Sequence, residues 1–414
     1  MWIVCITSVR HVLTVNGYGG RQTKENEKSW CFKGWETLVM NIKVIPVYLP
    51  QFHQIPENDN WWGEGFTEWV NVRNAPPLFD GHNQPRIPLN HNYYDLSDIE
   101  TLKWQCQLAR KYGIYGFCMY HYWFNGHLLL EKPMEMLLAH PEIDINYCIS
   151  WANHDWNDSW KAKDGAPQTL ISHDFDDEQD WVNHFNYMLP FFKDSRYMCE
   201  NNKPIMVIYV PNLIRKLNKM LDIWTQMAKD AGFEGLTYIY QSAASAYDNS
   251  WDKSKFAYGV EMNPQYINLL YDNEPQKVPF GLVKTIRFIK QLFHINRSLA
   301  PFMYNRKSVR RLDYDLCWKN ILKHKPVAEN LIPCAFTDWD NTPRHRMNGY
   351  LYDGMTASKF KRYFKELVTK VKREYHTDMI FVFAWNEWAE GGYLEPDERN
   401  GYALLEAIKD ALKS

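Results

Sequence analysis

One unit recurs along the chain, and its last copy, residues 380–391, reads IFVFAWNEWAEG. In this unit a short run of apolar, β-branched and aromatic residues leads directly into polar, acidic and aromatic ones. Such runs, bounded by polar segments, are typical of buried strands in a parallel sheet. Similar runs occur earlier in the chain, at residues 44–49, 114–120, 145–150, 204–209, 236–240, 258–262 and 332–336. The sequence therefore predicts eight strands.

Stretches with helical periodicity lie between most of these runs. They cover residues 99–112, 177–192, 213–231, 283–293, 314–324 and 358–375, and one more, 402–413, follows the last run. Eight strands that alternate with helices predict an all-parallel sheet covered on both faces. At this length a closed α/β (β/α)8 TIM barrel with long βα loops is favoured over an open sheet. No GxGxxG or Walker sequence follows the first strand, which disfavours a nucleotide-binding fold.

The composition is that of a globular enzyme, with 45% hydrophobic, 16% aromatic and 23% charged residues among 414. Because 47 basic residues face 49 acidic ones, nucleic acid is not an expected partner. No apolar stretch is long enough to predict a membrane-spanning helix. Eight cysteines without a CxxC pair indicate no redox or metal site and fit a cytoplasmic protein. We expect no cofactor.

The first 39 residues differ from the rest of the chain. They lack the basic start, unbroken apolar stretch and small-residue cleavage site of a signal peptide. Met40 opens a segment that resembles a natural protein start. We therefore expect residues 1–39 to be a disordered extension or to precede the true start, and residues 40–414 to form a single catalytic domain.

Polar and aromatic residues cluster where the predicted strands end, which is where active sites of these barrels lie. A long first loop, residues 52–94, adds more of them, and loops of this length are usually functional. With 18 Trp and 26 Tyr, stacking of sugar rings on aromatic side chains is the binding mode that we expect. The candidate substrate-binding residues are Tyr48, Gln51, His53, Trp61, Glu68, Trp69, His121, Trp123, Trp151, Asn153, Tyr209, Glu261, Asp338, Trp385, Asn386, Trp388 and Tyr393.

Glu387 and Glu390 are the candidate catalytic residues. Two carboxylates three positions apart, just past a strand and flanked by tryptophans, form a compact acid pair. Glycoside hydrolysis commonly needs one protonated and one ionised carboxyl group at the scissile bond. Mutual repulsion raises one pKa and keeps that proton available at neutral pH. The alternative is a pair of solvated glutamates at the start of a helix.

Four segments resemble the WbsX-like family: PQFHQIPEND (50–59), WWGEGFTEW (61–69), YHYWF (120–124) and WNEWAEG (385–391). This family is related to glycoside hydrolase family 99, the endo-α-mannosidases and endo-α-mannanases, and the resemblance extends over nearly the whole chain from Met40. It implies a (β/α)8 barrel that cleaves with retention through a 1,2-anhydro sugar. The family's Glu-Trp-x-Glu-Gly motif matches at Glu387, the implied base toward the sugar 2-hydroxyl, and at Glu390, the implied acid/base.

Two departures from family 99 leave the substrate open. The first-strand motif YLPQFH (48–53) and the loop 61–69 differ from those of characterised members, so an α-mannoside is one option among several. WbsX-like proteins also resemble products of surface-polysaccharide gene clusters and are often labelled glycosyltransferases. The hydrolase is favoured, and two alternatives remain. One is a glycosyltransferase of O-antigen, capsule or lipopolysaccharide biosynthesis; the other is a non-catalytic glycan-binding barrel.

Three secondary features have competing interpretations. His53, His121 and His154 follow strands but lack the spacing of metal ligands, so hydroxyl binding is favoured over zinc. Glu261 and Asp338 could bind sugar hydroxyls, tune Glu390, or pair with Arg344 or Arg346. Residues 277–311 are basic and partly amphipathic. They form either a solvated surface or a patch for an anionic membrane or an acidic glycan, which would make the protein peripheral at the inner membrane face.

Overall fold

Eight parallel strands form a closed barrel in the computed structural model, which describes residues 41–158, 168–271 and 308–413. Each strand pairs with the next one along the chain, and the last pairs with the first. The predicted (β/α)8 barrel is therefore confirmed. The strands are β1 (Lys43–Tyr48), β2 (Gly116–Phe124), β3 (Asn146–Trp151), β4 (Lys203–Ile208), β5 (Thr237–Tyr240), β6 (Tyr258–Glu261), β7 (Leu331–Phe336) and β8 (Met379–Phe383).

The strands are apolar on both faces because the barrel buries both. All residues of β7 and β8 are buried, and β1 and β4 are buried after their first residue. Continuous runs of Val, Ile and Phe suit this environment, since neither face meets water. The eight runs in the sequence therefore mark the eight barrel strands, with small shifts at their ends.

In the described residues, seven helices of eight or more residues accompany the strands. They are α1 (Ile99–Lys111), α2 (Lys132–Ala139), α3 (Glu178–Phe192), α4 (Leu217–Asp230), α5 (Tyr314–Lys323), α6 (Ala357–Glu374) and α7 (Ala403–Leu412). Side chains of Asp98, Asp177, Asp313 and Thr356 accept backbone N–H groups at the first turns of α1, α3, α5 and α6. Six predicted helices match these elements; α2 is too short to show clear periodicity.

Several predictions lie outside the described residues. These are the N-terminal extension 1–39, the helix 283–293 and most of the basic stretch 277–311. The last two residues of this stretch begin the strand Arg310–Asp313, which pairs in parallel with Tyr350–Asp353.

Within the described part of the chain, the helices are too short or too polar to cross a bilayer.

Short elements surround the C-terminal ends of the barrel strands. β2 extends past the barrel and pairs with His127–Leu129, and Trp156–Asn157 pairs with Thr169–Ile171. Short α-helices are Pro56–Trp62, Glu68–Arg73, Ala243–Tyr247, Gln265–Leu270 and Thr342–His345. Single 3-10 turns are Leu89–His91, Pro211–Leu213, Arg346–Asn348 and Trp388–Glu390. The strands Asn386–Glu387 and Gly392–Tyr393 lie at the same end, whereas Cys199–Glu200 pairs with the first residues of β4 at the opposite end.

Candidate active site

A cleft of about 380 Å³ opens at the C-terminal ends of the strands, a size suited to a small ligand or part of a chain. Its wall combines aromatic rings with amide, carboxyl and guanidinium groups. Most of these side chains come from β2 and from the loops after β1, β3, β7 and β8. The lining residues are Leu49, Gln51, Asn58, Trp62, Phe66, Tyr120, Tyr122, Ala152, His154, Asp155, Trp156, Asn157, Leu170, Tyr209, Gln265, Trp339, Arg344, Phe383, Glu387 and Glu390.

Glu387 and Glu390 lie side by side in this wall because one arginine binds both. Arg344 Nη2 is 2.8 Å from Glu387 Oε1, and Arg344 Nη1 is 2.9 Å from Glu390 Oε1. Arg344 comes from the short helix Thr342–His345 that follows β7. The acid pair expected from the sequence is therefore a pair in space, joined through a guanidinium that belongs to a different loop.

A third carboxylate, Glu68, contacts the same guanidinium. Its Oε2 lies 3.1 Å from Arg344 Nη2 and 3.3 Å from Nε. Glu68 is fully buried at the start of the helix Glu68–Arg73, and its backbone N–H donates to the carbonyl oxygen of Gln51. The first βα loop thus brings a negative charge to the acid pair, although it does so behind the cleft surface.

The turn that carries the pair is fixed by close backbone contacts. Glu390 ends the 3-10 turn Trp388–Glu390, and Gly391 follows with φ +70°. A Cβ atom at Gly391 would lie 2.9 Å from the backbone nitrogen of Asp340. Asp340 N–H donates to the Glu390 carbonyl at 2.7 Å. A glycine is needed here both for the left-handed conformation and for this approach.

Buried side chains of the same motif support the turn from below. The amide of Asn386 bonds to both the N–H and the carbonyl of Leu49, at 2.8 and 2.9 Å. Trp388 donates its Nε1–H to Glu395 at 2.7 Å and stacks on Tyr393 with ring centroids 3.8 Å apart. These residues hold the carboxylates in place without lining the cleft.

Burial dominates the electrostatics of the acid pair. It raises the pKa of Glu387 to about 8, against the opposing charge of Arg344, and Glu390 and Glu68 raise it further. Burial also raises the pKa of Glu390, again opposed by Arg344. Burial acts against the charge of Arg344, but the three carboxylates outweigh it and raise the pKa of that guanidinium. With three carboxylates and one guanidinium, the pair retains a proton near neutral pH.

Of the predicted site residues, Gln51, Tyr209, Glu387 and Glu390 line the cleft together. Burial and the charges of the two glutamates raise the pKa of Tyr209 to about 12, so its hydroxyl keeps its hydrogen. His154, which the sequence also marked as following a strand, lines the cleft as well. Burial lowers its pKa, so the imidazole is neutral at pH 7.

At the end of β2, the side chains that face the cleft are not the ones that the sequence predicted. The sequence predicted a strand ending near residue 120, with His121 and Trp123 in the site. Because β2 continues to Phe124, successive side chains alternate, and Tyr120 and Tyr122 line the cleft instead. His121 and Trp123 point to α3, where they bond to His184 (2.9 Å) and Asp180 (3.0 Å).

Several other predicted residues are buried beside the cleft rather than in its wall. Each is held by neighbours that account for its burial: Tyr48 by Gln105, Trp69 by the Tyr94 carbonyl, Trp151 by Trp224 and His184, Asn153 by the Val210 backbone, and Tyr393 by Asp397. His53 and Trp385 are also buried, and Trp61 packs on Trp156. These positions suit support of the site more than direct contact with a sugar.

Glu261 and Asp338 have partners other than those proposed from the sequence. Glu261 accepts from Tyr375 at 2.6 Å and contacts His324 at 3.1 Å. Asp338 pairs with Arg86 at 2.8 Å. In the described part of the chain Arg344 instead serves the acid pair, and Arg346 donates to the Asn74 carbonyl. These contacts favour partners other than Arg344 and Arg346 for both carboxylates.

The sequence missed part of the site. Asn58, Phe66, Asp155, Trp156 and Gln265 line the cleft without having been singled out. Asp155 and Trp156 directly follow residues that were, so a wider window after β3 would have included them. Within the described residues, no group of three or more His, Cys, Asp and Glu side chains is arranged to hold a metal ion.

Solved structures with a similar fold come from glycoside hydrolases. A family 99 endo-α-mannosidase from Bacteroides thetaiotaomicron, in complex with Bis-Tris propane, has a TM-score of 0.51 and 12% identity, covering 89% of this chain and 96% of that one. A glycoside hydrolase-like protein also has a TM-score of 0.51 and 12% identity, covering 90% and 94%. The fold is therefore that of a glycosidase-like (β/α)8 barrel.

The family is shown by the sequence itself. Residues 44–408 match the family model described as "Glycosyltransferase WbsX". The uncharacterized protein WxcX of Xanthomonas campestris pv. campestris is 30% identical over 378 residues, which is 89% of this chain and 49% of that protein. The chain belongs to the WbsX family, as its motifs indicated. It spans about half the length of the curated relatives that it matches.

Proposed function

We propose that this chain is a retaining glycoside hydrolase that cleaves a polysaccharide or oligosaccharide through Glu387 and Glu390. The observation that carries the proposal is the placement of both carboxylates in one cleft wall, on the two terminal nitrogens of the same arginine. Most glycosidases work with such a pair of carboxyl groups. The aromatic lining suits the apolar faces of sugar rings.

In the first step Glu387, ionised, takes the proton of the sugar 2-hydroxyl. The 2-oxygen then attacks the anomeric carbon and forms a C1–O2 bond as the glycosidic C1–O bond breaks. Glu390, protonated, gives its proton to the departing oxygen. The step yields a 1,2-anhydro sugar and a free hydroxyl on the leaving glycan, and it exchanges the ionisation states of the two glutamates.

In the second step water restores the starting state. Glu390, now ionised, takes a proton from water as the water oxygen attacks the anomeric carbon. The C1–O2 bond breaks, and the 2-oxygen recovers its proton from Glu387. Two inversions at the anomeric carbon give net retention. Both glutamates return to their first protonation states.

The electrostatics of the pair support a mechanism that starts with one proton on two carboxyl groups, and the roles given above require that this proton lies on Glu390 when the substrate is bound. The chemistry needs one ionised and one protonated carboxyl group at the same moment. Burial raises the pKa of both groups, that of Glu387 to about 8, so the pair holds one proton in neutral solution. Arg344 contacts Oε1 of each carboxylate, and both glutamates line the cleft where a substrate would bind.

The first experiment measures product release from a panel of α-mannans and bacterial surface polysaccharides. Wild type is compared with Glu390→Gln and with Glu406→Gln, an exposed control on α7. We expect cleavage by wild type and control, loss in Glu390→Gln, and a product whose anomeric NMR signal first appears with the substrate's configuration. An initially inverted product would overturn the 1,2-anhydro route.

A glycosyltransferase is the second candidate, because the matching family model carries that description. Sugar transfer that requires a nucleotide-sugar donor, with no cleavage of any glycan in the panel, would establish it and reject the hydrolase. Glycan binding that survives the loss of both glutamates, with no turnover by wild type, would instead identify a glycan-binding barrel.

A further inference from the structure

We propose that Arg344 is a positioning residue that holds Glu387 and Glu390 together as one charge-sharing unit. Glu68, from the first βα loop, counteracts the effect of the Arg344 charge on the two glutamates. The catalytic meaning of this unit rests on the proposed function, whereas its electrostatics can be measured without any substrate. Neither Arg344 nor Glu68 exchanges a proton in the mechanism above. Both act through the two catalytic glutamates.

The geometry makes Arg344 the common partner of three acids. Its Nη1 contacts Glu390, its Nη2 contacts Glu387 and Glu68, and its Nε also donates to Glu68. The side chain is only 8% exposed, and the one of Glu68 is fully buried. A planar guanidinium can serve several carboxylates at fixed angles, whereas a lysine ammonium is a single point charge.

The balance of charge around the pair is adjustable in two directions. Arg344 lowers the pKa of both catalytic glutamates, and Glu68 raises both. Glu68 reaches the pair from a loop more than 270 residues away in sequence. Its second oxygen, Oε1, is buried without a hydrogen-bond partner. Its charge is therefore poorly compensated except by Arg344.

Other ionisable groups around the pair are uncharged near neutral pH or stand in the cleft wall. Burial raises the pKa of the tyrosines and lowers that of both histidines. The neighbours concerned are Tyr120, Tyr122, Tyr209, Tyr350, His154, His345 and the acidic Asp155. Among the described residues, Arg344 is the cation that contacts both glutamates, and Glu68 is the carboxylate that contacts the same guanidinium.

The test follows the carboxyl carbons of the whole chain labelled with [5-¹³C]glutamate as pH is varied. Loss of their signals in Glu387→Gln and Glu390→Gln assigns them. In Arg344→Met we expect both midpoints to move up by about 1 to 3 pH units, because an adjacent opposite charge is gone. In Glu68→Gln we expect both to move down. In Arg344→Lys, at most one of the two glutamates should keep its wild-type midpoint, because a lysine ammonium is a single point charge.

Arg196→Met is the matched control, since Arg196 is a half-buried arginine bonded to Asp194 outside the cleft. Its loss should leave both midpoints unchanged. Unchanged midpoints in Arg344→Met, or in Glu68→Gln, would overturn the proposal. If Arg344→Met does not fold, the downward movement in Glu68→Gln decides alone.

The outcome separates this proposal from the proposed function. Midpoints that move as expected in a protein that cleaves no glycan would leave the charge-sharing unit standing and reject the hydrolase. Cleavage by wild type with midpoints that do not move would reject the unit and keep the hydrolase. For an active enzyme, the alkaline limb of the pH–kcat profile should move in the same directions as the midpoints, with little change in KM.

Discussion

Two pairs of carboxylates lie at the mouth of the barrel: Asp338 and Asp340 after β7, and Glu387 and Glu390 after β8. They differ in how many hydrogen-bond donors each receives. Asp340 accepts from Gln84 at 2.7 Å, from Thr342 Oγ1 at 2.6 Å and from the Thr342 N–H. His82 Nδ1 accepts from the Leu78 N–H, so its Nε2–H donates to Asp340. Glu387 and Glu390, in contrast, share Arg344 with a third acid.

The difference decides which pair can exchange protons. Although burial opposes ionisation, the donors around Asp340 and the charge of Arg86 lower its pKa to about 2. The pKa of Glu387 rises to about 8 in a similarly buried place. A carboxylate saturated with donors is structural, and one with too few is poised for chemistry. The extent of burial alone does not distinguish Asp340 from Glu387.

The largest expected effect contrasts Glu387→Gln with Asp340→Asn. The first should lower kcat by about 10²- to 10⁴-fold, because proton transfer is lost. It should not lower stability at pH 8, because it removes one of three crowded negative charges. Asp340→Asn should lower the free energy of unfolding by about 1 to 3 kcal/mol through unmatched donors. Kinetics and urea unfolding test this; greater destabilisation by Glu387→Gln than by Asp340→Asn would contradict the structural role of Asp340.

The next effect concerns Arg86, which pairs with Asp338 at 2.8 Å and is 6% exposed. Arg86→Met should lower the free energy of unfolding by about 3 to 5 kcal/mol, because it leaves a buried carboxylate without its cation. Arg362→Met, an exposed control with a weak 3.7 Å contact to Asp315, should change it by less than about 0.5 kcal/mol. Equal losses in the two variants would contradict the structural role of Arg86.

Opposite dependences on pH follow from the two pairs. Since the pKa of Asp340 falls from 3.8 to about 2 on folding, it contributes about 2 kcal/mol above pH 4 that is lost as pH falls toward 2. Since the pKa of Glu387 is raised, stability should instead fall as pH rises from about 4.5 to about 8.

Urea unfolding between pH 2 and 9 measures both trends. Asp340→Asn should remove the acidic loss, and Glu387→Gln should flatten the decline toward pH 8. A contribution of Glu387 that stays level between pH 5 and 8 would instead show that this carboxyl group is ionised throughout that range, like Asp340.

The smallest expected effect concerns the alternating side chains at the end of β2. Tyr122 lines the cleft and its hydroxyl accepts from Gln51 at 3.3 Å. Tyr122→Phe should lower kcat/KM by about 5- to 10-fold, as expected for one hydrogen bond, at unchanged stability. Trp123→Phe should instead lower stability by about 1 to 3 kcal/mol through Asp180, at unchanged kcat/KM. The reverse pattern would mean that Trp123 faces the cleft and Tyr122 faces away from it.

The barrel could be predicted because its signal is repeated. Eight apolar runs and seven amphipathic stretches each carry local periodicity, and boundaries shift by only a few residues. The acid pair could be predicted too, because both glutamates lie within four residues and directly after a strand. Such patterns can be read from the sequence because they depend only on residues that are near one another along the chain.

The rest of the site depends on information that is not local. An end point four residues too early for β2 exchanged Tyr120 and Tyr122 for their neighbours His121 and Trp123. The tryptophans of the WNEWAEG motif looked like a stacking surface, yet Trp385 and Trp388 are fully buried. Nothing in a single sequence tells a ring that meets sugar from one that supports the turn below it.

The partner of the acids was equally hidden. Arg344 and Glu68 are 276 residues apart, and neither lies in a pattern that points to the other. Their contact exists only because the barrel brings the first and seventh βα loops to the same mouth. Charge complementarity across loops therefore required the three-dimensional arrangement.

The bond between Asn386 and Leu49 links residues 337 positions apart, where β8 closes against β1. The acid pair thus stands on the seam of the barrel, formed by the first and last strands to leave the ribosome. A growing chain that has not yet released residue 387 has neither glutamate of the acid pair nor a closed wall around the cleft. The proposed hydrolytic activity would accordingly appear only after β8 and the turn that follows it have been made, and its onset would report the closure of the barrel.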